Sequence, residues 1–242
     1  MPRPPSSAVA FAKTEGRSAD FMHWEDLPNQ RHCAAFTMVE LIVVMLIIFT
    51  LAGLIMTGAS HLIDNGKKVQ SKNDITQLVN AVNAYYTEYG KYPMVDANQG
   101  TDTTYGRSGT APGNEDLCNV LRAISAGVNT SNVLNPRQIV FMSGRDSSRA
   151  RSGFLTAAAT DSKGNAVNIG AFVDPYGNAY IVAIDGNYDG ATVDPSPYSD
   201  LTYATGNTVR AGCFAESFGK DGKQGKDGNK NYSGSDDVLS WQ

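Results

Sequence analysis

The chain has 242 residues, with 20 Lys and Arg against 24 Asp and Glu, a net charge of −4 and a pI near 5.3. That length holds one or two domains, and the acidic balance argues against a nucleic-acid binder, which carries a basic patch. Charged residues are 18% of the chain, below the usual quarter. Gly, Asn, Asp, Ser and Thr crowd the last two thirds, as in a loop-rich domain of short strands.

Residues 1–35 are polar, Pro-containing and without helical period. They read as a leader removed by processing rather than as folded structure. The segment ends at Ala34-Ala35, just before Phe36, and Met22 offers a second start that would shorten it. From Leu41 to Ser60 there is no charged residue. At about 1.5 Å rise per residue, some twenty residues just cross a hydrocarbon core of about 30 Å. The run is apolar all round, unlike a core helix with a polar face. It is too long for the h-region of a signal peptide, and its small residues precede it instead of following it. Residues 36–60 are therefore expected to stay in the mature chain as a membrane span. One acid, Glu40, stands at its start. A carboxylate at the bilayer centre costs about 2.5–3.5 kcal/mol, and less near an end, so this acid needs a reason. Arg31 precedes the span, while Lys67, Lys68 and Lys72 follow it. The positive-inside count alone thus puts the C-terminal part in the cytoplasm.

Beyond the span, Ile75, Leu78, Val79, Val82, Tyr85, Tyr86 and Tyr89 recur at spacings of three and four. Gly90 fits a C-cap and Pro93 a stop, so one helix is predicted from Phe36 to Tyr89, amphipathic over 61–92. Its stripe is aromatic and not heptad-strict, which favours packing on a sheet over a coiled coil. Residues 93–242 form the expected head. In it, "GNEDLCNVLRAIS" reads as a short helix and "RQIVFM" as a strand, and Asp96 to Gly113 as a long loop. "DPYGNAYIVAID" is a turn followed by a strand. "DGNYDG" places Asp185, Asn187, Asp189 and Gly190 as in the start of an EF-hand loop, but the twelfth position is Ser196 rather than Glu, so it reads as a turn. Gly219, Gly222, Gly225 and Gly228 recur every third residue. Four triplets without Pro cannot hold a triple helix.

The chain has three His, two of them before residue 36 and the third, His61, at the end of the span. A Ser-His-Asp triad or a His-based zinc site in the head is excluded on that inventory, and the chain is read as not an enzyme. Cys118 and Cys213 remain after the leader. An even pair fits a disulfide in an oxidising compartment; two buried free thiols are the alternative.

"A|FTMVELIVVMLIIFTLAGL" resembles the cleavage and methylation motif of type IV prepilins and type II secretion pseudopilins. The residue before the cut is usually Gly in that family and is Ala35 here. "YYTEYGKYP", "DPYGN" and "SFGKDGKQGKDGNKNYSGSDDVLSW" resemble the helix end, the turn and the calcium-holding tail of the major pseudopilin. The stretch 94–170 is longer than in that family, and the resemblance does not cover it. The resemblance implies an α+β, pilin-like lollipop: a long N-terminal transmembrane and amphipathic helix packed on a C-terminal antiparallel sheet. It implies that a prepilin peptidase cuts between Ala35 and Phe36 and methylates Phe36. Glu40, with the Thr37 hydroxyl beside it, would meet the N-terminal amine of a neighbouring subunit. Asp221 and Asp236 match acidic positions of the Ca²⁺ loop, and Asp227 and Asp237 are neighbours able to substitute. The implied protein is a single-pass inner-membrane protein with a periplasmic head, orientation following the processing motif rather than the lysines. It would self-associate into a pseudopilus with other pseudopilins and the secretion platform. A type IV pilin for adhesion or DNA uptake is the alternative within the class. A membrane-tethered periplasmic binding protein or enzyme is the alternative outside it.

Overall fold

The computed structural model describes residues 36–95, 100–107 and 112–242. The expected leader, with Ala35, and residues 96–99 and 108–111 of the expected long loop lie outside the described residues. The chain divides into two compact units, Met1–Ala52 and Gly53–Gln242.

The described part of the first unit is the beginning of helix α1 (Met38–Tyr89). Met38–Ile55 has a mean hydropathy of 2.8, and none of it is buried within the chain. Leu, Ile, Val, Met and Phe occupy every side of this segment, so no rotation about its axis presents a polar face. One helix is thus long and apolar enough to cross a membrane, in agreement with the predicted span.

In the second unit the remainder of α1 is a packed element. Ile75, Leu78, Ala81, Val82 and Tyr85 are buried along one stripe, as the three-and-four spacing requires. Tyr86, expected in that stripe, is 40% exposed; it lies about 100° around the helix from Tyr85. The helix ends as predicted. Gly90 adopts φ +67°, and its N–H donates to the Tyr86 carbonyl at 2.8 Å, a left-handed C-terminal cap.

The other elements are short. They are β1 (Thr103–Tyr105), α2 (Asn114–Leu121), β2 (Asp146–Ser147), β3 (Gly153–Leu155), β4 (Ala159–Thr160), β5 (Ala166–Val167), β6 (Phe172–Val173), β7 (Ile181–Ile184), β8 (Thr192–Val193), β9 (Thr208–Val209), β10 (Cys213–Ser217) and β11 (Val238–Leu239). The main sheet is antiparallel with order β1-β7-β10-β11. Ala183 of β7 lies opposite Thr104 on one side and Phe214 on the other. All four β7 residues are buried, so its sequence, Ile-Val-Ala-Ile, shows no alternation. A smaller sheet, β2-β3-β6, and the pairs β4-β5 and β8-β9 flank it; only β2-β3 is parallel. The α1 stripe shares one core with Tyr105, Leu117, Phe154, Phe172, Tyr180, Val182 and Ala215. The architecture is a mixed one of helix and antiparallel sheet, as the α+β expectation required at that level.

Two local expectations fail. "RQIVFM" is not a strand: Phe141 and Met142 donate their N–H groups to the Leu121 carbonyl at the end of α2, at 2.8 and 3.2 Å. With those donors engaged there, the segment has no ladder partner, although its apolar residues mimic a strand. Conversely, Thr103–Tyr105 is an edge strand inside the expected loop. Its Tyr105 is fully buried, and the Tyr105 hydroxyl accepts the Val95 N–H at 3.1 Å.

Two glycines separate conformational from steric constraint. A Cβ at Gly90 would meet nothing within 4 Å, whereas one at Gly106 (φ +84°) would sit 2.1 Å from the Tyr180 carbonyl oxygen. Gly90→Ala should destabilise by about 1 kcal/mol, the left-handed penalty alone. Gly106→Ala should cost about 2–4 kcal/mol, because backbone must also move. Thermal unfolding of the detergent-solubilised chain by circular dichroism checks the order.

Candidate functional site

The start of α1 is closed by its own side chains. The Thr37 N–H and hydroxyl donate to Glu40 Oε2 at 2.9 and 2.8 Å, and the Glu40 N–H donates to Thr37 Oγ1 at 3.2 Å. This reciprocal pair is a capping box. It satisfies donors at a helix terminus, where the first N–H groups have no intrahelical partner. The signal was present in the sequence as Thr-x-x-Glu before an apolar run. Reading Thr37 only as a hydroxyl beside an acid missed it. Glu40 therefore has a function within its own chain, independent of any neighbour. Phe36, the expected mature terminus, is 80% exposed.

The DPYGN turn is organised by a buried acid. Asp174 Oδ1 accepts the N–H groups of Tyr176 and Asn178 at 2.9 and 2.8 Å. Its Oδ2 accepts the Ser217 hydroxyl at 2.6 Å, tying the turn to β10. Asn178 then donates to the Gly219 carbonyl at 2.7 Å, which carries the turn's influence into the tail. Burial pushes Asp174 up to about 6 against the lowering effect of these hydrogen bonds.

In the tail Asp236 is tied to Asp221 through a backbone N–H, and Asp237 follows Asp236 in the chain. Asp236 Oδ2 accepts the N–H of Lys220 and that of Asp221, the latter at 3.2 Å. Asp237 Oδ2 accepts the Tyr198 hydroxyl at 2.8 Å and the Gly225 N–H at 2.6 Å. Asp237 Oδ1 is buried without a hydrogen-bond partner. Burial, chiefly, and then the charges of Asp236 and Asp221 push Asp237 up to about 6. Asp227 is not part of this group. It is exposed in a one-turn segment, Lys226–Gly228, at φ +58°. The left-handed turn carries it into solvent, so it does not substitute for the others.

For a hard cation the arrangement has one feature that fits and one that does not. An orphaned, buried carboxylate oxygen beside two further acids suits Ca²⁺ chemistry. Three of the carboxylate oxygens, however, are closed on backbone N–H groups: Asp236 Oδ2, Asp237 Oδ2 and Asp221 Oδ1, the last accepting the Lys223 N–H at 2.8 Å. Among the described residues no group of three or more His, Cys, Asp and Glu stands ready to hold a metal.

Helix α1 holds the tail through charged side chains of both signs. Lys220 pairs with Asp64 at 2.8 Å, Lys68 donates to the Ser235 carbonyl at 3.2 Å, and Lys72 donates to that of Leu239 at 2.6 Å. Lysines that weigh against the expected topology in a charge count are thus engaged with the chain's own carbonyls.

The expected disulfide is not formed. Cys118 and Cys213 are both free and buried. The Cys213 Sγ lies 3.8 Å from the Val79 carbonyl and from Asn83 Oδ1 on α1, while Cys118 sits on α2 among Leu117, Val120 and Leu121 in the core. Burial pushes both thiols up to about 12, so they pack as small apolar residues. "DGNYDG" is a turn, as read: Asp185 accepts the N–H groups of Tyr188 and Gly190 at 2.6 and 2.9 Å.

Sequence reasoning missed a further buried acid, Glu216 on β10, which is 1% exposed and has an unpartnered Oε2. Only its setting in "CFAESF" between buried positions hinted at it. Burial first, then the charge of Asp194, push Glu216 up to about 8. The folded value lies above the ordinary 4.5, so its contribution to stability is fully present below about 4.5 and is lost as the pH rises through 8. Melting temperature should fall between pH 5 and 8.5, and Glu216→Gln should flatten that fall. An equally steep decline in the variant assigns it to other groups.

No protein-family model matches this chain, and no curated protein or solved structure matches it either.

Proposed function

We propose that this chain is a pilin-like filament subunit of the type II secretion pseudopilus class, anchored in the inner membrane with a periplasmic head. The observation that carries the reading is the start of α1. A capped acid stands in the first turn of an apolar segment none of which is buried within the chain. Such a segment needs lipid or other copies of itself around it. Alongside Phe36 and Thr37, Glu40 is the group suited to both: satisfied by Thr37 while the subunit rests in the membrane, and able to accept a neighbour's terminal amine during assembly. Self-association, the other pseudopilins, the secretion platform and the prepilin peptidase are the partners this reading entails. Asp221, Asp236 and Asp237 are the residues that would hold Ca²⁺, and the ion would supply positive charge to the tail. Asp237 Oδ1, buried and unpartnered, is the atom that favours this.

The capping box sharpens the test of Glu40. Gln at the same position also closes a capping box, so Glu40→Gln keeps the helix start and removes only the charge. With the platform and peptidase coexpressed, Glu40→Gln should be processed at Phe36 and inserted but form no filaments. Normal filaments from that variant, seen by electron microscopy, would reduce Glu40 to a cap. An intact N-terminus ahead of Phe36 in the presence of the peptidase would sink the reading altogether.

Ligand binding to the folded state alone stabilises by RT ln(1 + [L]/Kd), about 2.7 kcal/mol at a hundredfold excess over Kd. Calcium should therefore raise the melting temperature of the detergent-solubilised chain by several degrees relative to chelator. Asp221→Ala and Asp237→Asn should abolish the difference. Overlaid melting curves for the native chain would leave the tail a metal-free loop.

A further inference from the structure

After Glu40, the next Asp, Glu, Lys or Arg in the chain is Asp64, so the change from apolar to charged side chains on α1 falls there. Two segments distant in sequence reach that point. The Tyr176 hydroxyl of the DPYGN turn donates to the Asp64 carbonyl at 3.1 Å, and Lys220 of the tail pairs with the Asp64 carboxylate at 2.8 Å. Lys67 Nζ lies over the Tyr176 ring, 5.0 Å from its centre. Further along the helix, Gln70 donates to the Ser152 hydroxyl at 2.5 Å, and the Ser152 N–H donates to the Asp174 carbonyl of the same turn at 2.8 Å. From Asp64 to Gln70 the helix rises about 9 Å.

Ser152 follows a basic segment, Arg145–Arg151, within the stretch that the family resemblance does not cover. Its three arginines are exposed. Arg145 Nη2 makes long contacts of 3.4 Å with the Arg151 and Ser152 carbonyls. Arg149 and Arg151 make no ion pair among the described residues. The acids nearby are engaged. Asp146, the one acid of the segment, pairs with Arg122 at 2.9 Å. Asp64 is taken by Lys220, and Asp236 Oδ2 accepts the N–H groups of Lys220 and Asp221. A chain of net charge −4 therefore carries unpaired positive charge beside the first charged turns of α1.

We propose that this edge, with Lys67, Tyr176, Arg149 and Arg151, rests on the anionic phospholipid headgroups of the bilayer that α1 crosses. The headgroup layer adds about 5–7 Å outside the hydrocarbon core. Lys and Arg are drawn to anionic lipid within a Debye length, about 8 Å at physiological salt. The contacts between Asp64 and Gln70 fall within that reach of the point where charge resumes. A guanidinium fork matches a phosphate, and a tyrosine ring with a polar tip suits the membrane–water boundary. An acidic protein face would also attract arginines. The apolar run on the same helix brings lipid to this edge and favours the bilayer. The inference rests on the membrane reading of α1 and not on filament assembly, because neither Phe36 nor Glu40 belongs to the edge.

The test is limited tryptic cleavage of the full chain in lipid nanodiscs, of phosphatidylcholine alone or of an equal mixture with phosphatidylglycerol, with the sites mapped by mass spectrometry. Cleavage after Arg145, Arg149 and Arg151 should be about fivefold slower with phosphatidylglycerol. Arg210 is the internal control. It is exposed and lies two residues from Gly212, which packs on Tyr92 past the far end of α1, so its rate should be equal in both discs. The double variant Arg149→Gln/Arg151→Gln changes exposed positions and should leave the circular dichroism spectrum unchanged. In it, the remaining site at Arg145 should be cleaved equally in the two discs. Equal rates at all sites of the native chain, the same slowing at Arg210, or a slowing at Arg145 that persists in the double variant would each overturn the proposal; the first would return the arginines to an acidic protein face. A chain that enters neither disc would overturn the membrane reading together with it.

Discussion

The stripe Ile75, Leu78, Val82 and Tyr85 on α1 is the surface on which the second unit depends. These side chains are almost completely removed from solvent, each contributing about 1.5–3 kcal/mol from burial. They meet β7 and β10 through Val182, Ile184 and Ala215 in one core. The strands of the main sheet are three, four, five and two residues long. Sheets this short are marginal alone and need an apolar element against one face. The helix supplies it, so the sheet, the DPYGN turn and the tail are all downstream of that packing.

The same packing forces acids into the interior. Asp174, Asp194, Glu216 and Asp237 are all at most 2% exposed. Tyrosine hydroxyls offset part of the desolvation: Tyr198 donates to Asp237 and Tyr203 to Asp194, at 2.8 and 2.7 Å. Asp174 is fully furnished with donors, whereas Glu216 and Asp237 each keep a bare oxygen. Asp174 is therefore a structural acid that fixes a turn. Glu216 and Asp237 are strained electrostatically, which makes their protonation state part of the stability of the fold.

At the other end of α1, one side chain closes the start of the helix. A helix beginning at a membrane surface exposes N–H groups that neither lipid nor helix can satisfy, and Thr37 with Glu40 closes them within the chain. Glu40 Oε2 alone takes both Thr37 donors.

Composition and period alone determined the apolar span, the buried stripe, the helix stop at Gly90, the short α2 helix and the DPYGN turn with its strand. Each depends on contacts within a few residues or on a face of fixed periodicity, so local sequence is enough. The tertiary structure decided the rest. "RQIVFM" has the residues of a strand, but its N–H groups are engaged by the end of α2. "TTY" lies in loop-like surroundings and is a strand only because β7 lies beside it. The two cysteines form an even pair in the inventory, but Cys118 lies on α2 and Cys213 against α1, and both are free. Asp236 accepts the Asp221 N–H, whereas Asp227 is exposed at φ +58°. Partners distant in the chain decide these outcomes, and no spacing within a segment encodes which distant group arrives to accept a hydrogen bond or fill a face.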